Sequence, residues 1–418
     1  MGRHSNRPTV RAVAAPPPSK SKETTMTLWR WLLVGFLALW IVGTGVGLVK
    51  MWPGDQKPNI APEFYTSFNL GHKQVNGTVL FVQPGACSAA ETGTLFDTAP
   101  RVVLGAPEEC EWYIIEISEG AGAGMRTLII NSNQPGEPKL EQGDKILLLE
   151  SEGENGAPLY AFSDLERTMP LLSWGILIAL VIIACALLRG VRALIGLLIT
   201  MLVVVFFTLP VLLLGAPPIS TAVISGATIL LAVVVLVHGF NWKSASALGG
   251  TLIALGIAAW LASVAIDNNH LRGLGDEDNL SIILYLPDVS VRGLMLCGFI
   301  IGALGVLNDV AISQSSTVNE LAELDPDAGP MRIFVGAMKV GRDHISSMVY
   351  TLVLTYTGAS LPLLLLLTIS DRPLLQTLTS DTVATEILRS GIGALALTLA
   401  VPITTLIAAF TVPDSTRR

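Results

Sequence analysis

The sequence predicts an α-helical polytopic membrane protein of about eight transmembrane helices, with a small β-rich extracytoplasmic domain between helices one and two. Three observations lead there. Hydrophobic residues make up 51% of the 418-residue chain and charged residues only 14%, and its mean hydropathy is +0.60, too apolar for an ordinary soluble protein. Apolar stretches of about 20 residues, each long enough for a hydrocarbon core of roughly 30 Å, recur along it. One segment of about 115 residues breaks this pattern with short alternating runs and turn residues.

The apolar stretches lie near residues 28–49, 170–188, 194–214, 219–238, 246–266, 291–309, 344–369 and 386–411. This divides the chain into a disordered cytoplasmic tail (1–27), an anchor helix (28–50), the extracytoplasmic domain (51–168), a seven-helix membrane domain (169–411) and a second short tail (412–418). Lys and Arg collect in alternate short connections, with Arg189, Arg192, Lys243, Arg332, Lys339 and Arg342 on the side of the basic N-terminal tail. By the positive-inside rule both termini are cytoplasmic. The first apolar stretch is longer than a signal-peptide core and no A-x-A site follows it, so it reads as an uncleaved anchor.

In the insert, runs such as Thr78 to Val82, Glu111 to Ile117, Arg126 to Ile130 and Lys145 to Leu149 alternate with Gly, Pro, Asn and Asp. They indicate a small barrel or sandwich. Cys87 and Cys110 both fall on the side where disulfides persist, so a bridge is expected, while Cys185 and Cys297 lie inside helices as free thiols. The insert carries 17 acidic against 7 basic residues, a balance of −10, which speaks against nucleic-acid binding. No metal-ligand spacing and no cofactor motif occurs, and the acidic loop 267–290 reads as solvated.

The most informative region is 291–322. Gly298, Gly302, Gly305, Asp309, Ser313, Ser316 and Glu320 recur at steps of three and four and share one helix face. The glycines suit close helix packing, and an ionisable group on such a face is a functional-site hypothesis by default. Counting about 18 residues from the helix start puts Asn308 and Asp309 roughly 27 Å along the axis, near the cytoplasmic side. The next helix carries His344, Ser347, Thr351, Thr355 and Gly358 as a second polar stripe. The expected polar site therefore comprises Asn308, Asp309, Ser313, Gln314, Ser316, Arg342, Asp343, His344 and Thr351, with Arg342 as the partner that makes Asp309 tolerable.

GFIIGALGVLNDVAISQSSTVNEL, followed by AMKVGRDHISSMVYTLVLTYTGASLPLLLLL, resembles the YibE/F-like family of bacterial integral membrane proteins. GDKILLL, LYAFSDLERTMPLL and RGVRALIGLLIT look like its upstream half, so the likeness runs from about residue 70 to 411. Asn308 stands where the family pattern leads one to expect Met. The resemblance implies a bacterial cytoplasmic-membrane location and a transport role, and it carries over no binding residues.

Two functions compete on these residues. One is a gradient-driven permease with Asp309 as a proton or cation relay and a small solute or ion as cargo, since no G-x-x-x-x-G-K-[ST] loop supplies nucleotide energy. The other is a non-transporting envelope scaffold or sensor whose β-rich domain meets an envelope protein. An aspartyl protease built on Asp309 and Asp343 is disfavoured because G-x-G-D is absent and Arg342 precedes the second acid. No other enzyme motif is present.

Overall fold

The computed structural model describes residues 27–67, 72–98, 109–153, 156–275, 277–369 and 372–412. The expected tails, Asp276 and the basic residues near both termini lie outside them. The first helix, α1 (Leu28–Met51), is unbroken, as its run of Leu, Val, Gly and Trp without proline allows. After a short α2 (Glu63–Ser67) the chain enters a six-stranded sheet: β1 (Lys73–Ala86), β2 (Leu95–Phe96), β3 (Glu109–Ile117), β4 (Arg126–Asn131), β5 (Lys145–Glu152) and β6 (Pro158–Leu165). Four of these strands cover the runs expected from sequence, and β2 and β6 are additions.

The strand order is β2-β4-β3-β1-β5-β6 and every pairing is antiparallel. Long β1 serves both halves of the sheet: residues 73–78 pair with β5 and residues 77–86 with β3, with a register shift between Val79 and Phe81. Such a bulge bends a strand and lets the sheet curl. The curl brings β4 towards β6, and Gly93 links them, its N–H donating to the Leu128 carbonyl and its own carbonyl accepting from the Tyr160 N–H, both at 2.8 Å. Gly93 has φ +75°, and a Cβ there would stand 2.6 Å from the Tyr160 carbonyl oxygen, so glycine is required. The result is a half-barrel around Val75, Val79, Tyr113, Ile115, Ile117, Ile146, Leu148 and Tyr160. Cys87 and Cys110 are bonded across the end of the β1/β3 pair, with Cα atoms 5.0 Å apart.

The rest of the chain is helical. Helix α3 (Thr168–Val203) runs through one π turn (Val204–Thr208) into α4 (Leu209–Leu213). A straight helix over these 46 residues would be about 69 Å long, more than twice the hydrocarbon core. It is not straight. Leu187 has φ +51° and ψ −131°, and the chain bends so sharply that a Cβ on Gly190 would lie 2.6 Å from the Ile182 carbonyl oxygen. The two apolar segments expected at 170–188 and 194–214 occupy the two arms.

Then follow α5 (Pro218–His238), α6 (Trp242–Asn268), α7 (Glu277–Tyr285), α8 (Val291–Leu324), α9 (Pro330–Ala359), α10 (Leu361–Ile369), α11 (Leu374–Leu378) and α12 (Asp381–Thr411). Six helices among the described residues are long and apolar enough to cross a membrane, or seven if α9 and α10 count as one broken span. The apolar window expected at 344–369 is thus not one helix. α9 begins at Pro330, whose fixed φ suits a first helical position, and α10 turns away from α9 by 64°. Pro362 explains the break, because it has no N–H to offer the preceding turn and its ring crowds that turn's carbonyl.

Helices α6, α8 and α12 pack against one another at the centre, with α5 on α6 and α8, α9 on α12 and α8, and α1 on α5, α6 and α12. Helices α6 and α12 cross closely. A Cβ on Gly250 would come within 2.8 Å of the Thr404 Cα, so the backbones meet there with no room for a side chain.

Candidate functional site

Helix α8 presents two unlike faces. Leu307, Val310, Ala311, Gln314, Ser315 and Val318 are buried against neighbouring helices, while Gly298, Gly302, Gly305 and Asp309 lie on the exposed side. These four residues share one exposed face, and most of it meets no packed neighbour. A Cβ on Gly298 or Gly305 would meet nothing within 4 Å. Only Gly302 is closely approached, by the Tyr356 hydroxyl of α9, which a Cβ would strike.

The height of Asp309 follows from its neighbours. At one end of the bundle Asp267 of α6 is paired with Arg292 of α8; at the other, Val318 and Ala322 share a cluster with Ala408 and Trp242. Leu307 and Val310, which flank Asp309, share a cluster with Ala254 and Ala258 of α6 and Ala400 of α12. Ala254 lies 12 residues from Trp242 and 13 from Asp267, about 18 and 20 Å along the axis. Asp309 therefore sits at mid-height of α6 and not near one end, as counting along α8 suggested. Helix α8 is 34 residues long and continues beside apolar helices well past the acid, an extension that counting from its start cannot reveal.

The polar contact between the two stripes is Ser313 Oγ to His344 Nδ1 at 3.1 Å. With these residues level on antiparallel helices, Asp309 lies four residues towards the β-domain end and Arg342 two residues towards the other. They are offset by about 9 Å along the axis. Accordingly, no ion pair joins Asp309 to Arg342 among the described residues. Arg342 and Asp343 are exposed, Asn308 and Ser316 are half-buried, and the Asn308 Oδ1 has no hydrogen-bond partner. Thr351 is exposed and donates to the Ser347 carbonyl one turn back, at 3.1 Å.

Gln314 belongs to a different environment. It is fully buried, its Oε1 accepts from the Thr405 hydroxyl of α12 at 3.0 Å, and Gly341 makes room for it on α9. It ties three helices together and faces away from Asp309.

Three charged side chains escaped the sequence reading. Arg30, at 0% exposure, lies within α1 between Trp29 and Trp31. Its guanidinium lies 4.6 Å from the Trp242 ring centroid. A cation inside an apolar run beside two tryptophans was the available signal. Glu386 and Arg389 of α12, one turn apart, form an ion pair at 2.7 Å; their i,i+3 spacing at the start of an apolar stretch marks them. No group of three or more His, Cys, Asp and Glu able to hold a metal occurs among the described residues.

A bundle of long apolar helices with a polar seam at mid-height and a β half-barrel inserted after the first helix defines a multi-pass membrane protein. Within that class the chain belongs to the YibE/F-like protein family, whose model matches residues 174–414. The match spans α8, α9 and α12, hence every residue of the seam, and stops short of the β-domain. Comparison with curated proteins and with solved structures finds no match.

Proposed function

We propose that this protein is a gradient-driven secondary permease in which Asp309 binds the coupling proton or cation between α8 and α9. The observation that carries this reading is the placement of the acid: mid-height in the bundle, on an unpacked glycine-lined face, with no basic side chain paired to it among the described residues. A carboxyl group in such a position is costly unless it titrates or binds a cation, and this is the usual reason such groups are kept. Ser313, Ser316, His344 and Thr351 supply hydroxyl and imidazole groups for a small solute or ion along the same seam.

In this reading the two arms of α3–α4 are separate spans and α9 with α10 forms one, giving eight. Both termini then face the cytoplasm and residues 51–168 the outside of a bacterial cytoplasmic membrane. The protein performs no covalent chemistry and binds no nucleic acid. The test is reconstitution in liposomes under an imposed pH gradient. Wild-type protein dissipates the gradient, Asp309→Asn does not, and equal rates in the two reject the relay.

A second reading, an envelope scaffold or sensor, draws on the β-domain, which closes on itself through Gly93, is stapled by a disulfide and leaves Phe81 and Val82 exposed. Removing residues 60–160 separates the two: proton flux that survives the deletion supports the permease.

A further inference from the structure

At the β-domain end of the bundle a cavity of about 510 Å³ opens between α8, the α9–α10 bend, the first turns of α12 and the loop before α7. That volume lies within the range of about 300–1,000 Å³ usual for small-molecule sites. Its α8 wall includes Gly298, which leaves open space where a side chain would stand. On the α12 wall Arg389 donates to Glu386 at 2.7 Å and lies 5.5 Å from the Phe299 ring centroid. The two side chains are 29% and 24% exposed, withdrawn from bulk water yet part of the cavity lining. The Arg389 Nε makes no hydrogen bond within the protein.

Residues 272–274 on one side of the cavity are held in place. Asp381 accepts from the backbone N–H groups of Arg272 and Leu274 at 3.0 and 3.1 Å, and the Asn279 amide donates to the Gly273 carbonyl at 2.8 Å. An ion pair in the wall of a half-open cavity calls for a reason other than stability, since pairing two charges away from water is no route to stability by itself.

We propose that this cavity binds a small zwitterion, a molecule carrying both an ammonium and an oxyanion. Among the described lining residues the wall bears one positive group, Arg389, and one negative group, Glu386, and these two sum to zero. A ligand of net charge would leave one charge uncompensated in a region of low dielectric. A zwitterion keeps the sum at zero: its oxyanion takes guanidinium donors that Glu386 leaves unused, and its ammonium meets the Glu386 carboxylate. The chemistry is shared by free amino-carboxylates and by the ethanolamine phosphate headgroup of lipids. The assignment goes beyond the permease reading, because it concerns binding and holds whether or not the ligand is carried across.

The experiment is thermal unfolding of the purified full-length protein in detergent, titrated with glycine, glycylglycine, γ-aminobutyrate and glycerophosphoethanolamine, and with propionate, propylamine and glycerol as single-charge and neutral controls. At least one zwitterion raises the melting temperature saturably and the controls do not. A response confined to glycerophosphoethanolamine identifies a lipid headgroup, and a response to the amino-carboxylates identifies a free solute. Arg389→Gln and Glu386→Gln weaken binding by at least about 30-fold. Gly298→Leu, whose Cβ meets nothing within 4 Å, puts a side chain into the cavity from the opposite wall and abolishes binding, with its unliganded melting temperature recorded as the folding control. Absence of any saturable zwitterion response, an equal response to propionate or propylamine, or binding that survives Gly298→Leu overturns the assignment. Flux plays no part in the readout, so failure here and failure of the Asp309 relay are separate results.

Discussion

The Arg30 Nε of the first helix donates to the carbonyl oxygen of Thr411, the last residue of α12, at 2.9 Å and 381 positions away in the chain. A helix ends with carbonyl groups that have no partner in the next turn and with a partial negative charge. A buried guanidinium satisfies both, and the Trp242 ring beneath it and the Trp29–Phe410 contact, with ring centroids 4.9 Å apart, fasten α1 to α6 and α12. Replacing Arg30 by Ala removes a charge-assisted hydrogen bond and a cation–π contact together, worth about 2–4 kcal/mol. We expect the SDS midpoint of unfolding to fall accordingly and α1 to become protease-sensitive; an unchanged midpoint excludes this role for Arg30.

The seam between α8 and α9 makes opposite demands on two pairs. Ser313 and His344 touch, so a double-mutant cycle with Ala at both should give a coupling of about 0.6 kcal/mol, the average for hydrogen bonds between membrane helices. Asp309 and Arg342 are offset along the helices and should give additive effects. Coupling in the second pair and none in the first would mean that α9 sits in a different register.

The glycines of α8 are not equivalent. Gly298→Ala and Gly305→Ala add a methyl group to open space and should leave the unfolding midpoint within experimental error. Gly302→Ala drives a methyl group into the Tyr356 hydroxyl and should cost about 1–3 kcal/mol, largely recovered by adding Tyr356→Phe. Gly250→Ala meets the Thr404 backbone, which cannot swing aside, so it should be the most damaging of the four. SDS titration of the four variants and the double mutant gives the order directly.

In the half-barrel, burial, followed by the hydrogen bond to Glu150, pushes the Tyr160 phenol from its ordinary value of 10 to about 12. Burial also raises Tyr113, with the Glu111 hydrogen bond adding to it. Because the folded value of Tyr160 exceeds the unfolded one, its contribution to stability is complete below pH 10 and is lost as the pH rises from 10 towards about 12. Alkaline titration followed by phenolate absorbance should show these phenols ionising late, with one late step fewer in Tyr160→Phe. Ionisation of all six tyrosines around the ordinary value would contradict the burial.

Cys87 and Cys110 close a loop of 23 positions, for which chain entropy alone gives about 3 kcal/mol of stabilisation. Reduction, or replacement of both by Ser, should lower the unfolding midpoint of the β-domain and leave the helical bundle's own transition in place.

Much of this was readable from the chain. Apart from 344–369, the apolar windows fell on long helices, because crossing a membrane depends on summed hydropathy over a short local stretch. Four strands were visible through alternation of period two, and the β1–β3 pairing accounts for the proximity of the cysteines. The glycine and Asp309 stripe was found by periodicity as well. What the stripe borders was not, because a repeat of three and four names a face without naming its neighbour. Gln314 shows the limit: it sits one residue from Ser313 in sequence, yet it turns into the core to meet Thr405, while Ser313 turns towards His344. The helix ends were misjudged at α9, where the polar stretch from Pro330 to Ser346 is helical because one narrow face, Ile333, Ala337 and Gly341, is buried.

The chain alone determined that this is a multi-pass membrane protein with one polar β-rich insert, since hydropathy, length and alternation are properties of neighbours along the backbone. Which charges meet was decided by the tertiary structure: Arg30 with the end of α12, Arg389 with Glu386 in the cavity wall, Asp309 on an exposed helix face and without Arg342. These outcomes depend on the register and crossing of helices far apart in the chain, and register is set by where side chains leave room, as at Gly250 beside Thr404.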